Sequence, residues 1–100
     1  MAKYRFTNKA VDDLSQIWDY TFEQWSATQA DKYYQMIIDN CKEIADSPEV
    51  GKNYSEIAIN IKGYKAGRHI IFYRKNEMNE VIIIRILYDQ MDLKRRIKEQ

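Results

Sequence analysis

GRHIIFYRKNEMNEVIIIRILYDQMD, residues 67–92, is the stretch that decides the fold. Two apolar runs, Ile70 to Tyr73 and Val81 to Leu87, flank a polar turn from Lys75 to Glu80. Both runs are short and rich in β-branched and aromatic residues, which predicts two buried strands joined as a hairpin. Gly67 permits the turn into the first of them. The second run ends in Tyr88-Asp89-Gln90-Met91-Asp92, polar and bearing two carboxylates, so this end of the sheet is expected to be acidic. Arg85 interrupts the run, on the face that simple alternation also assigns to Val81, Ile83 and Leu87. A charge in a buried strand is costly unless paired. Arg85 is therefore expected either to pair with a carboxylate near the sheet edge, Asp89 or Asp92, or to contact an anion or a partner.

Upstream, Ile57, Ile59 and Ile61 alternate with Ala58, Asn60 and Lys62 and predict another strand, extended or restarted at Tyr64 to Ala66 after Gly63. Glu49 to Glu56 reads as a loop. Before it the pattern is helical. Lys3 to Thr7 alternates as a short opening strand, and Thr7 or Asn8 then caps a helix with Asp12 and Asp13 near its positive end. Val11, Leu14, Ile17, Trp18, Phe22 and Trp25 follow at helical spacing. Ser26, with Gln29 three residues on, is a capping box that opens a second helix. Its stripe is Ala30, Tyr33, Tyr34, Ile37, Ile38, Cys41, Ile44 and Ala45, and Ser47-Pro48 stops it. With almost no linker, the two helices must form an antiparallel hairpin. Downstream, Asp92 to Gln100 is charged, with weak helical periodicity from Met91, Leu93 and Ile97. The order β-α-α-β-β-β, closed by a short C-terminal helix, predicts one α+β domain over residues 1–100. An N-terminal strand leads into a helix hairpin packed on one face of a small antiparallel sheet.

The bulk composition, 45% hydrophobic and 31% charged over 100 residues, suits one globular domain, burying about 65% of the surface of its unfolded chain. Sixteen basic against fifteen acidic residues give +1, which argues against binding nucleic acid through a broad basic field and leaves local patches open. The single cysteine, Cys41, cannot form an internal disulfide, and its place in an apolar stripe predicts a buried, inert thiol. The N-terminus is too short and charged for a secretory signal, and no apolar run approaches the ~20 residues that span a bilayer. A soluble cytoplasmic protein is expected.

The first helix carries more apolar surface than one sheet face covers. Leu14, Ile17 and Thr21 form one line, Val11, Trp18, Phe22 and Trp25 a second beside it, and Tyr20 points a third way. Either the hairpin buries both lines, or one line is a docking groove for a partner segment. Catalytic groups are sparse. His69 is the sole histidine and has no HxxxH or HExxH partner, so a hydrogen-bonded structural role is expected and no metal. Gly51, Gly63 and Gly67 form no phosphate loop, no serine sits in GxSxG, and no cofactor is expected. Lys94, Arg95, Arg96 and Lys98 form a basic tail, either a solvated helix face or a contact for phosphate or an acidic surface.

Taken in order, Asp13-Leu14 with Ile17 and Tyr20, Trp25, Ala30, Tyr33, Pro48, Gly51, His69-Ile70-Ile71-Phe72-Tyr73, Arg85-Ile86-Leu87 and Met91-Asp92 resemble the ParE toxins of bacterial toxin–antitoxin modules, within the RelE/ParE superfamily. One departure is visible: where that family commonly has Leu-His before the Met-Asp ending, this chain has Leu87-Tyr88. The resemblance implies a helix hairpin on an antiparallel sheet. It also implies a toxin that inhibits DNA gyrase by protein–protein contact, trapping it on cleaved DNA, without catalysis of its own. Neutralisation by a ParD-like antitoxin, whose disordered C-terminal segment folds around the toxin, is implied too, with DNA reached only through the antitoxin. Trp18, Phe22, Trp25 and Tyr34 are then the candidate antitoxin contacts, and Lys94, Arg95 and Arg96 the candidate target contacts.

The superfamily's other branch, the RelE-like ribosome-dependent messenger RNA endoribonucleases, is the alternative. It would draw on Arg68, Arg85 and Tyr88, with Lys62 and Lys65 nearby. Three features disfavour it. The strand after Gly67 lacks the arginine usual near its start in that branch. Asp89 and Asp92 stand where nucleases place basic residues, and a carboxylate ~4 Å from a phosphate costs about 1–4 kcal/mol. The charge of +1 suits a ribosomal substrate poorly.

Overall fold

The computed structural model of the chain describes residues 3–90 and 93–98, without the side chains of Lys94, Arg96 and Lys98. Strand β1 (Tyr4–Phe6) leads into helices α1 (Asn8–Gln24) and α2 (Ala27–Asp46). A 3₁₀ turn at Pro48–Val50 is followed by strands β2 (Lys52–Asn53), β3 (Lys62–Ala66), β4 (His69–Lys75) and β5 (Val81–Tyr88), then helix α3 (Leu93–Lys98). Both helix starts follow from their capping residues. The Thr7 hydroxyl accepts the Ala10 amide at 3.1 Å, and the Ser26 hydroxyl accepts the Gln29 amide at the same distance. Two residues, Trp25 and Ser26, separate α1 from α2, which pack together as a hairpin.

The strands form one sheet in the order β1-β5-β4-β3-β2. The run from β2 to β5 is antiparallel, whereas β1 lies parallel to β5 with Tyr4 opposite Val81 and Phe6 opposite Ile83. The α+β class and the hairpin of β4 and β5 are as expected, but the sheet is mixed. β2 sits inside the segment expected to be loop, pairing Lys52 with Gly63.

Side chains alternate between two cores. Ile71, Tyr73, Val81, Ile83 and Ile86 meet Ala10, Leu14, Ile17, Ile37, Cys41 and Ile44 beneath the helix hairpin. Burial pushes the Cys41 thiol up to about 12, so it stays protonated and inert. On the opposite face Ile70, Phe72, Ile84 and Leu87 pack with Ile61 and Ile97. The sheet is thus covered on both sides, the second by α3 and the loop before β3. Alternation along β5 is broken by a bulge: Phe72 pairs with Arg85 and Tyr73 with Ile83, leaving Ile84 as the extra residue. Leu87 consequently joins the second core while Val81 and Ile83 stay in the first, and the shared face expected for all three does not exist.

The strand expected over Ile57 to Ile61 does not form. The Ile57 and Ala58 amides turn back to the Tyr54 carbonyl at 2.8 and 3.2 Å, and Asn60 takes φ of 60°, a left-handed conformation foreign to strands. Ile59 is left 80% exposed while Ile61 is wholly buried. The loop folds onto the sheet because Gly63 leaves room for the Tyr54 ring, which a Cβ there would approach to 2.6 Å. That ring meets Phe72 edge-on, centroids 5.2 Å apart.

Tyr73 ties the connection after α2 to the sheet. Its hydroxyl donates to the Pro48 carbonyl at 2.6 Å and accepts the Gly51 amide at 2.9 Å. Tyr73→Phe strands both backbone groups and is expected to cost about 1–3 kcal/mol. Urea unfolding should show an earlier midpoint with unchanged slope.

Candidate functional site

Ala10, Asp13, Leu14 and Ile17 recur at helical spacing and are all buried, so the fold points a carboxylate inward. Asp13 grips Arg85: Oδ2 accepts from Nε at 2.8 Å and Oδ1 from Nη2 at 3.0 Å. Oδ2 also accepts the Ile86 amide at 2.9 Å. The expected partners of Arg85 are therefore corrected. Asp89 pairs instead with Lys65 at 3.2 Å, and Asp92 lies outside the described residues. Nor is Asp13 a dipole-compensating residue, since the first turn of α1 holds no acid. The reason is the sheet edge. β1 stops at Phe6, leaving the far half of β5 without a neighbouring strand on that side. Thr7 continues the edge, its amide donating to the Ile83 carbonyl at 3.0 Å and its hydroxyl to the Ile84 carbonyl at 2.7 Å. Asp13 then takes the Ile86 amide.

At the C-terminal end of β5, two residues beyond Ile86, a polar cluster joins α2 to the β3–β4 turn. The Tyr33 hydroxyl accepts the Arg68 amide at 2.9 Å and shares a hydrogen bond with His69 Nδ1, 2.6 Å away. The hydrogen-bonded histidine expected from the sequence is thus found. Burial lowers the His69 pKa, against smaller opposite effects from Asp89 and Asp13. Tyr88 faces His69 across the strands, ring centroids 5.8 Å apart. Gly67, with φ of 61°, makes the turn and lets it approach Tyr33.

The residues of the nuclease alternative are not assembled. Arg68 and Tyr88 lie near one another, Asp89 donating its amide to the Arg68 carbonyl at 3.0 Å, but Arg85 is turned into Asp13 and 8% exposed. Lys65 is engaged by Asp89, and Lys62 sits at the opposite end of β3, paired with Tyr73. Among the described residues no group of three or more His, Cys, Asp or Glu is placed to hold a metal ion. No helix among them is long and apolar enough to cross a membrane.

The second apolar line of α1 faces outward. Trp18 is half-buried and stacks on Phe22, centroids 5.3 Å apart and rings 9° from parallel, and Phe22 is 50% exposed. The Trp18 indole N–H donates to Asp31 Oδ1 at 2.9 Å, a partner the periodicity did not single out. Between α1 and α2 lies a groove of about 480 Å³ lined by Leu14, Ser15, Trp18, Asp19, Asp31 and Tyr34. Trp18 thus meets Phe22 by stacking and shares the groove with Tyr34, while Phe22 does not line it. Trp25, 73% exposed, stands apart and lines a second groove with Thr21, Gln29, Lys32, Tyr33 and Met36. Of the tail cations Arg95 is exposed on α3, while the side chains of Lys94 and Arg96 lie outside the described residues.

Comparison with known proteins places this geometry. The family described as ParE toxin of type II toxin-antitoxin system, parDE, matches residues 4–93. Toxin ParE1 of Caulobacter vibrioides is 30% identical over 92 residues, covering 92% of this chain and 94% of that protein. Toxin ParE1 of Mycobacterium tuberculosis H37Rv is 28% identical over 96 residues, covering 96% and 98%. A chain of the chromosomal ParDE TA system from P. aeruginosa superposes with a TM-score of 0.77 at 21% identity, covering 88% of this chain and 96% of that one.

Asp13→Ala abandons a buried guanidinium and is expected to cost about 3–5 kcal/mol in urea unfolding, with Arg85→Met in the same chain recovering much of the loss. His69 adds a pH dependence whose sign follows from its lowered pKa. The unfolded chain takes the proton first, so stability falls as pH drops below about 6.5 and levels off beneath the folded value. Urea midpoints at about pH 7.5 and 5.5 should converge in His69→Gln relative to the parent, apart from the carboxylate contribution common to both.

Proposed function

The chain belongs to the ParE toxin family of type II toxin–antitoxin systems, and we propose that it is the toxin of a ParDE-type pair, silenced by a ParD-like antitoxin and acting in the cytoplasm on DNA gyrase by protein–protein contact, not catalysis. The observation that carries this reading is the outward aromatic line of α1. Trp18, Phe22 and Tyr34, with Val11 at 48% exposure, make an apolar surface beside a groove on a small domain, the kind that marks an interaction site. A segment that folds on binding needs such a surface to offset its ordering entropy. We assign Trp18, Phe22 and Tyr34 to the antitoxin contact, with Trp25 on its flank.

The non-catalytic part of the reading is supported by the cations. Arg85 is committed to Asp13, and Lys65 is held by the carboxylate Asp89 beside Arg68 and Tyr88. A phosphate placed there would meet Asp89 as well as Arg68. The target contact is assigned to Lys94, Arg95 and Arg96 on α3. Ile97, 4% exposed, anchors that helix on the second core, so deleting α3 would confuse lost contact with lost packing, and charge reversal is the cleaner probe.

Added to purified gyrase, the protein is expected to block supercoiling and to accumulate cleaved DNA; if it does neither, the gyrase reading fails. Lys94→Glu with Arg95→Glu should weaken that inhibition about tenfold or more, near 1.4 kcal/mol, with circular dichroism checking that the variant remains folded. Trp18→Ala and Phe22→Ala should each weaken antitoxin binding by about tenfold or more, as interfacial aromatics do, while leaving gyrase inhibition by the free toxin intact.

A further inference from the structure

The net charge of +1 hides a segregation. The helix hairpin, residues 8–46, holds eight carboxylates against three lysines, a formal −5, and the rest of the chain is +6. Asp13 is cancelled internally by Arg85. The remaining acids of the hairpin are on its surface, and two of them, Asp19 and Asp31, line the groove that also displays Leu14, Trp18 and Tyr34. Among the described residues no cation lines this groove, and neither Asp19 nor Asp31 forms a salt bridge. Asp31 is held in place because one oxygen accepts the Trp18 indole N–H at 2.9 Å. The groove on the other flank differs, carrying Lys32 and no acid.

We infer that the occupant of the Trp18–Tyr34 groove is a cationic amphipathic helix, which seats apolar side chains on Leu14, Trp18 and Tyr34 and presents Lys or Arg to Asp19 and Asp31. This rests on the proposed antitoxin docking at the groove and specifies its chemistry: the neutralising segment is basic where it crosses the hairpin. The apolar floor supplies most of the affinity and the carboxylates fix register and reject acidic competitors, the usual division between burial and charge complementarity. A segment with carboxylates at those positions would set like charges beside Asp19 and Asp31.

Two synthetic helical peptides test this, with identical leucine positions and either lysine or glutamate at every polar position facing the groove. Binding is read from Trp18 fluorescence in the full chain carrying Trp25→Phe. The lysine peptide is expected to bind about tenfold or more tighter than the glutamate peptide. That advantage should shrink as the screening length falls from about 10 Å at 0.1 M salt to about 3 Å at 1 M. Asp19→Asn with Asp31→Asn, which keeps the indole acceptor, should abolish the preference while leaving binding of both peptides measurable. Equal or reversed affinity, or a preference that survives the double substitution, overturns the inference and leaves the docking groove standing. If neither peptide binds, both the inference and the docking at this groove fall together.

Discussion

Asp13 and Arg85 are the interaction on which the rest of the structure depends. Removing two charges from water is costly, and what offsets it here is saturation: one carboxylate accepts two guanidinium N–H groups and the Ile86 amide. The pair closes the half of β5 that β1 is too short to cover, so an edge that would invite another strand is sealed by a helix. It also fixes the rotation of α1. With Asp13 pointing at β5, Ala10, Leu14 and Ile17 turn to the core, and Val11, Trp18 and Phe22 have nowhere to go but outward. The apolar line proposed to hold a partner is a geometric consequence of the ion pair that holds the fold.

The polar cluster at the C-terminal end of β5 follows a similar logic. Tyr33, Arg68, His69, Tyr88, Lys65 and Asp89 include most of the residue types from which a phosphate-cleaving site is built. Here the tyrosine hydroxyl is shared between the histidine and the Arg68 amide, the lysine answers an aspartate, and the arginine backbone closes a turn. The cluster joins α2 to the sheet by hydrogen bonds, and its one carboxylate is already engaged by Lys65.

Much of this was legible in the sequence, for physical reasons that differ by element. The two helices, their Thr7 and Ser26 caps and the β4–β5 hairpin depend on local periodicity and local hydrogen bonds, so a linear reading suffices. The partner of Arg85 was not legible because it lies 72 residues away. The hint was the spacing of Asp13 from Ala10 and Ile17, which placed a carboxylate on a buried face. The Ile57 to Ile61 alternation misled because a left-handed Asn60 and a turn onto Tyr54 cost nothing in hydrophobic pattern. The Ile84 bulge is invisible in an unbroken run of isoleucines, any of which could be the extra one. The outward aromatics were legible as an excess of apolar lines over available faces, but which line stayed exposed was decided by Asp13.

The parallel pairing of β1 with β5 has a consequence in time. Residues 4–6 take their places beside residues 81–83, so β1 is completed only once β5 has been made. While the chain is still being synthesised, the helix hairpin emerges with its inner face uncovered, because the central strands of the sheet have not yet been made. Contacts of such wide sequence separation form late and set the pace of folding. The aromatic surface of the hairpin therefore gains its sheet backing only after residues 81–88 have emerged.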